Sequence, residues 1–217
     1  MICPYCHGRC IRKGRRQGVQ QYRCTGCARY HRNMYRYKAH QPDTDKQLIA
    51  LTREGCGIRS TARLLGISPT TVITRILALA RKLAPPAPIA FGQHYEVDEI
   101  STYCGHKKKR IWLAYALDRK SRQVVALAVG RRTKRMLSRI TTTLLLAKAR
   151  RITTDGLAIY QRLLPAALHR VKGFGINRIE RHNLTLRTRL KRLGRRTLCY
   201  TKQAAMLQAC ASIVVWG

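Results

Sequence analysis

The chain has 217 residues, with 44 Lys and Arg against 9 Asp and Glu, a formal charge of +35. No fold needs that excess, and its self-repulsion is compensated most simply by a polyanion, so nucleic acid is the expected partner. An apolar share of 45% excludes a disordered basic tail. No apolar run nears the ~18 residues of a membrane span. The opening Met-Ile-Cys-Pro-Tyr-Cys is no secretory signal. Nine cysteines, an odd count with two close pairs, argue against a secreted disulfide scaffold and for a metal site in a reducing cytoplasm.

The first 42 residues carry ten Lys or Arg and no acid, and they lack the apolar stretches of an ordinary core. Such a segment needs a staple. Cys3-x-x-Cys6, 17 intervening residues and Cys24-x-x-Cys27 supply one, in the spacing of a zinc ribbon. Each CxxC turn presents two thiolates to one ion, and two turns complete a tetrahedron. Cys10 and His7 are rival ligands but are expected to be bystanders, because the two pairs fill four positions. Arg12, Lys13, Arg15 and Arg16 lie between the pairs as candidate phosphate contacts.

Residues 43–84 read as three helices. Thr44-Asp45 opens the first, and the second runs roughly from Ile58 to Leu65. Gly66-Ile67-Ser68-Pro69 breaks and restarts the chain, with Ser68 as N-cap and Pro69 at the first helical position. The third helix, about Pro69 to Leu83, turns Val72, Ile76, Leu79 and Leu83 inward. It leaves Thr70, Thr71, Thr74 and Arg75 outward, as a major-groove reader would. The pattern is a helix-turn-helix. Residues 85–92 follow as a stiff proline-rich linker.

From residue 93 the pattern mixes strands and helices. Three of the nine acids crowd into Tyr95-Glu96-Val97-Asp98-Glu99-Ile100. Alternation puts Tyr95, Val97 and Glu99 on one strand face and Glu96, Asp98 and Ile100 on the other. Ile111–Asp118 and Val124–Val129 continue an antiparallel meander. A helix from about Thr133 to Ala149 follows, then a short strand 151–154. Asp155-Gly156 turns the chain into a helix over 157–164. A last helix, 178–193, buries Ile179, Leu186, Leu190 and Leu193 and holds Glu180 in its first turn. This order resembles the ribonuclease-H-like fold, whose first and fourth strands lie side by side at the sheet centre. Asp98 and Asp155 would then meet.

Cutting or joining DNA is an in-line displacement at a phosphodiester, which two divalent ions about 3.5–4 Å apart can support. Mg²⁺ and Mn²⁺ want carboxylate oxygens. Asp98, Asp155 and Glu180 are the candidate ligands, with Glu99 the rival for the first position. Asp118 reads as a turn residue, and Glu96 or Glu99 as partners of an arginine.

The doubled CxxC, the helix-turn-helix, Val97-Asp98-Glu99, Thr154-Asp155-Gly156-Leu157-Ala158-Ile159-Tyr160 and Arg178-Ile179-Glu180-Arg181-His182-Asn183-Leu184-Thr185-Leu186-Arg187 together resemble the insertion-sequence-one family of bacterial transposases. The segment around Glu180 is the most specific part, continued by Leu190-Lys191-Arg192-Leu193-Gly194-Arg195-Arg196.

The resemblance implies a DDE transposase with Asp98, Asp155 and Glu180 as its metal-binding triad. His182 and Asn183 would support the third acid. The N-terminal part would bind the terminal inverted repeats of the element, double-stranded DNA, and the protein would act as at least a dimer in the bacterial cytoplasm, near the nucleoid. In that family two reading frames are often joined by frameshifting. Here both halves stand in one chain, and its end at Val214-Val215-Trp216-Gly217 is expected to cut a terminal helix short.

The expected architecture is therefore α+β and multidomain. A zinc ribbon (1–42), a helix-turn-helix (43–84), a linker (85–92) and a ribonuclease-H-like α/β catalytic domain (93–217) follow one another. The rival readings are a DNA-binding regulator or decayed transposase without catalysis, and a nuclease of the same fold.

Overall fold

The computed structural model describes residues 1–32, 37–85, 91–172, 177–194, 197 and 199–217. Residues 86–90 of the proline-rich linker lie outside them, as do Arg195 and Arg196. The chain is mixed α/β and divides into two compact units, Met1–Thr44 and Asp45–Gly217.

In the first unit, β1 (Cys10–Arg16), β2 (Val19–Cys24) and β3 (Tyr30–Arg32) form an antiparallel sheet in that order. The β1–β2 turn is Gln17-Gly18, with φ of 53° and 73°. Two successive positive φ values match the twist of a two-residue hairpin, and glycine takes one at no steric cost. The unit has almost no apolar side chains to bury. Its core is Cys3, Cys10 and Cys24, backed by Tyr22 and Cys27.

The second unit opens on three helices, α1 (Thr44–Arg53), α2 (Ile58–Leu65) and α3 (Pro69–Lys82). Gly66 ends α2 in the left-handed conformation at φ 62°, and the Ile67 amide reaches back to the Ala62 carbonyl. Ser68 then caps α3 by accepting the Thr71 N–H at 3.1 Å, with Pro69 in the first turn. Ser68→Ala is expected to destabilise this unit by about 1 kcal/mol, read as a lower midpoint in thermal unfolding. Val72 and Ile76 are buried as expected from the helical period.

At the α1–α2 turn, Gly55 has φ 76°, and a Cβ there would lie 2.6 Å from the Arg189 carbonyl oxygen. Backbone conformation and close approach both demand glycine. Among the described residues no single helix is long and apolar enough to cross a membrane. The pair α2 and α3 reaches that length and composition only together and is bent by 106°.

A five-stranded sheet follows, built from β4 (His94–Cys104), β5 (His106–Asp118), β6 (Val124–Gly130), β7 (Arg151–Thr154) and β8 (His169–Val171). Its order is β6-β5-β4-β7-β8. The first three strands are an antiparallel meander, and β7 returns parallel to β4. That return crosses one face through α4 (Lys134–Leu146), capped by the Thr133 side chain. Leu137, Ile140 and Leu144 of α4 pack on Tyr95, Val97, Ala114 and Ala116 of the sheet.

α4 stops three residues before the expected Ala149, because Lys148 turns to φ 49°. α5 (Ala158–Leu163) follows β7, and α6 (Asn177–Arg189) packs on β4. Beyond α6 the expected helix tightens into a 3-10 turn, Lys191–Leu193, yet Ile179, Leu186, Leu190 and Leu193 are all buried. α7 (Ala204–Trp216), almost wholly buried, packs on both α3 and β6.

Candidate active site

The β4–β7 ladder pairs Tyr95 with Ile152 and Glu96 with Thr153. Two residues further along each strand stand Asp98 and Asp155, so the parallel register itself carries these carboxyls towards one another. Carboxylate oxygens of Asp98, Glu99 and Asp155 all lie within 4.8 Å of one another. The two faces of β4 use their acids differently. Tyr95, Val97 and Glu99 face α4 and α5, where Glu99 accepts the Tyr160 hydroxyl and meets Arg132 at 3.0 Å. Glu96 and Asp98 face α6.

Asp98 is engaged at both oxygens. Oδ1 accepts the Glu99 N–H at 2.7 Å, and Oδ2 accepts the Asn183 side-chain amide at 2.6 Å. Burial pushes its pKa up; the Asn183 and Glu99 donors pull it down, and the charges of Asp155 and Glu180 push it up again. Glu99 is likewise raised, first by burial, then by Asp155 and Asp98, against the Tyr160 hydrogen bond and Arg132. Asp155 is 43% exposed. It accepts the Leu157 N–H at 3.1 Å, so it also caps the turn into α5.

Glu180 is exposed in the first turn of α6 and lies outside the cluster of three, though close enough for its charge to act on Asp98. Four contacts latch that helix end to the sheet. Glu96 accepts the Ile179 N–H at 3.2 Å. The Tyr115 hydroxyl, whose residue stands opposite Asp98 in the β4–β5 register, lies 2.8 Å from Asn183 Oδ1 and 3.2 Å from the Ile179 carbonyl. Asn183 completes the latch on Asp98. His182 tilts against the Tyr115 ring at 5.2 Å, and burial lowers its pKa.

Asn183→Leu removes a donor from Asp98 and an acceptor from Tyr115. It is expected to cost roughly 1–3 kcal/mol in urea unfolding, the penalty for stranding a buried polar partner. It should also raise the Asp98 pKa further, moving the acid limb of any pH–activity profile to higher pH.

Arg132 was not singled out from sequence. Its guanidinium sits over the Trp112 ring at 4.4 Å and reaches Glu99 at 3.0 Å and Asp155 at 3.5 Å. It follows β6 in a run of basic residues, where nothing local marks it. Tyr115 and Tyr160 were hidden as apolar-pattern positions. Asp118 proves a turn residue, accepting the Lys120 N–H and the Ser121 hydroxyl. Glu96 and Glu99 both meet arginines, Arg119 at 3.6 Å and Arg132.

The donor set suits a hard divalent cation: oxygen ligands only, partly solvated, with two carboxyls held above their usual pKa range by burial first and then by neighbouring acids, Asp155 for both. One arginine does not neutralise them.

In the first unit the Sγ atoms of Cys3, Cys6, Cys24 and Cys27 lie within 4.8 Å of one another. Amides of Tyr5, Gly26 and Cys27 point at Cys3 and Cys24. The Cys27 amide first, then the Cys6 and Cys27 thiols and the Gly26 amide, hold Cys24 down at about 6 against its burial. Four converging thiols with amide support are compatible with zinc. His7 is exposed and belongs to no such group, whereas Cys10 lies 2.9 Å from His31.

Arg12, Lys13, Arg15 and Arg16 are exposed along β1 and its turn. On α3, Thr70 and Thr74 are exposed and Thr71 half-buried. Arg75 is half-buried and ion-paired to Asp45, so its guanidinium is committed within the helical segment.

The model of the IS1 transposase family matches residues 94–212, and that of the InsA C-terminal domain matches 35–78. The insertion element IS1 protein InsB of Shigella flexneri is 40% identical over 111 residues, 51% of this chain and 85% of that protein. The insertion element IS1 2 protein InsB of Escherichia coli (strain K12) is 41% identical over 107 residues, 49% of this chain and 64% of that protein.

A chain of the simian T-cell lymphotropic virus intasome in complex with PP2A regulatory subunit B56 gamma is 17% identical. It covers 76% of this chain and 65% of its own at a TM-score of 0.39, which assigns no fold. The matched DDE domain carries the acids that β4 and β7 bring together, and the matched helical segment carries the helix-turn-helix: the chain belongs to the IS1 transposase family.

Proposed function

We propose that this chain binds the terminal inverted repeats of an insertion sequence and catalyses DNA strand cleavage and strand transfer. The carrying observation is the meeting of Asp98 and Asp155 across β4 and β7, beside a latched helix whose first turn holds Glu180, close enough for its charge to act on Asp98. The sheet order and the β4–β7 pairing support a ribonuclease-H-like reading of residues 93–217.

Asp98, Asp155 and Glu180 would hold two Mg²⁺ or Mn²⁺ ions, which when bound supply activation of the attacking oxygen and charge for the leaving one. Glu180, whose charge already acts on Asp98, would have to turn its side chain inward from its exposed turn to join them. Asn183 and Tyr115 fix the Asp98 carboxyl and the α6 end, and His182 packs behind them. Arg132 holds Asp155 against Glu99, whose buried side chain serves as its anchor. In the first step water attacks a phosphodiester at the element end. A new phosphorus–oxygen bond forms as the bond to the 3′ oxygen breaks, freeing a 3′-hydroxyl. In the second step that hydroxyl attacks a target phosphodiester: a bond from its oxygen to the target phosphorus forms as the target's bond to its own 3′ oxygen breaks, and that oxygen leaves as a hydroxyl. The chain's part is positioning and charge.

The Cys3, Cys6, Cys24 and Cys27 cluster would be a structural zinc ribbon over 1–42. Arg12, Lys13, Arg15 and Arg16 would meet phosphates, and Thr70, Thr71 and Thr74 would meet a groove. Arg75 would steady α3 through Asp45. Two element ends must be held at once, so the working form is at least a dimer. Binding should weaken steeply with salt. The test is incubation with a labelled duplex bearing the element's end: cut and joined products are expected with Mg²⁺ or Mn²⁺ and none with chelator.

A further inference from the structure

The small core of the first unit contains a thiol–imidazole pair that the four-cysteine cluster leaves unused. The sheet register puts it there. Cys10 stands opposite Cys24 on β1 and β2, and Tyr22 stands opposite His31 on β2 and β3. Cys24 and Tyr22 are two apart on one strand and so share a face. All four side chains therefore project to the same side of the sheet, the side occupied by Cys3. Cys10 Sγ lies 2.9 Å from His31 Nε2, and ligand atoms of Cys3, Cys10 and His31 fall within 4.8 Å of one another.

Cys10 Sγ meets His31 Nε2 and, at 3.8 Å, the Gly8 carbonyl, which is thin service for a buried thiol and ring. Cys10 is 8% exposed and Cys3 is fully buried. His31 is stacked on Tyr22 with ring centroids 5.9 Å apart. Its Nδ1 is buried without a hydrogen-bond partner among the described residues. A core this small would gain more from two apolar side chains at these places than from a buried thiol and imidazole, whose polar atoms cost free energy when unsatisfied. A cation at Cys10 Sγ and His31 Nε2 takes up both lone pairs and fixes the ring proton on Nδ1, which keeps no protein partner among the described residues. Thiolate and imidazole are the donor types that a zinc-class ion selects over harder cations.

We propose that residues 1–44 bind two zinc-class ions: one in the Cys3, Cys6, Cys24 and Cys27 set, and a second held by Cys10, His31 and Cys3, with the Cys3 thiolate shared between them. A thiolate has the lone pairs to bridge two ions, and Cys3 is the one residue common to both groups. The second ion would have three protein donors and one position left to water. It would tie β3 to β1 and the first CxxC turn, adding a cross-link that the backbone ladders of a three-residue strand supply weakly. The inference rests on the zinc-ribbon reading for its first ion and extends it by the second.

Native mass spectrometry of the full chain, purified with Zn²⁺ and freed of loosely bound metal, tests it. Two zinc ions per chain are expected in the wild type, and one in Cys10→Ser and in His31→Phe, which keeps a ring on Tyr22. Alkylation by iodoacetamide in the presence of zinc, with the first ion in place, gives a second reading. Cys10 should be protected in the wild type and reactive in His31→Phe. One zinc ion in the wild type, with Cys10 alkylated equally in wild type and His31→Phe, would overturn the second site and leave the first intact. No bound zinc at all would overturn both.

Discussion

Mn²⁺ at a hundredfold excess over its dissociation constant is expected to stabilise the second unit by roughly 3 kcal/mol at pH 7, and by little near pH 4. The sign comes from Asp98 and Glu99. Both have raised pKa values, by burial first and then by their acidic neighbours. For such a group the folded state favours the protonated form. The stability it contributes is complete below the ordinary carboxylate pKa and is lost as pH rises through the raised one. At neutral pH the metal-free cluster therefore opposes folding. A divalent cation offsets that repulsion where the carboxyls are ionised, and competes with protons where they are not. Thermal unfolding with and without Mn²⁺ at the two pH values checks this. In Asp155→Asn the pH 7 stabilisation should largely disappear. The metal-free variant should be no less stable than wild type, since asparagine can still cap Leu157 and relieves the charge beside Asp98 and Glu99.

Cys24→Ser, or prolonged chelation, is expected to unfold Met1–Thr44 while Asp45–Gly217 stays folded. The first unit buries three cysteines where another fold buries aliphatic side chains, so little would hold it without the proposed zinc. Structural zinc in segments of this size contributes on the order of 10–16 kcal/mol of apparent binding free energy, which is folding free energy here. Limited proteolysis should then cut within residues 1–44 and spare the sheet. Affinity for the element end should fall with the loss of the hairpin that carries Arg12, Lys13, Arg15 and Arg16.

Much of this architecture is legible in the residues. Ser68-Pro69 marks the start of α3 because capping and a fixed φ act locally. Asp98 and Asp155 are legible because nine acids in a chain of charge +35 leave few reasons for an acid to sit at a strand centre or end. What escaped depends on tertiary pairing. β8 has three residues and one exposed valine, so no periodicity announces it. The charged start of β5, His106–Arg110, is exposed and is a strand only because β4 lies beside it. Arg132 is one basic residue in a basic chain, and its role is visible only once Trp112, Glu99 and Asp155 surround it. His31 follows the same logic. Its partner Cys10 lies 21 residues away, and only the three-stranded register joins them.

The most direct test of the central claim compares wild type, Asp155→Asn and Glu180→Gln on a labelled duplex carrying the element's own end, with Mn²⁺ or Mg²⁺. Wild type is expected to cut and join. Both variants are expected to bind the end with unchanged affinity and to lose cleavage by at least a hundredfold, the scale of removing transition-state charge stabilisation. Equal binding by all three proteins with no reaction by any of them would contradict the account and leave a DNA-binding regulator. Full activity in Glu180→Gln would remove that residue from the site and leave Glu99 as the third acid.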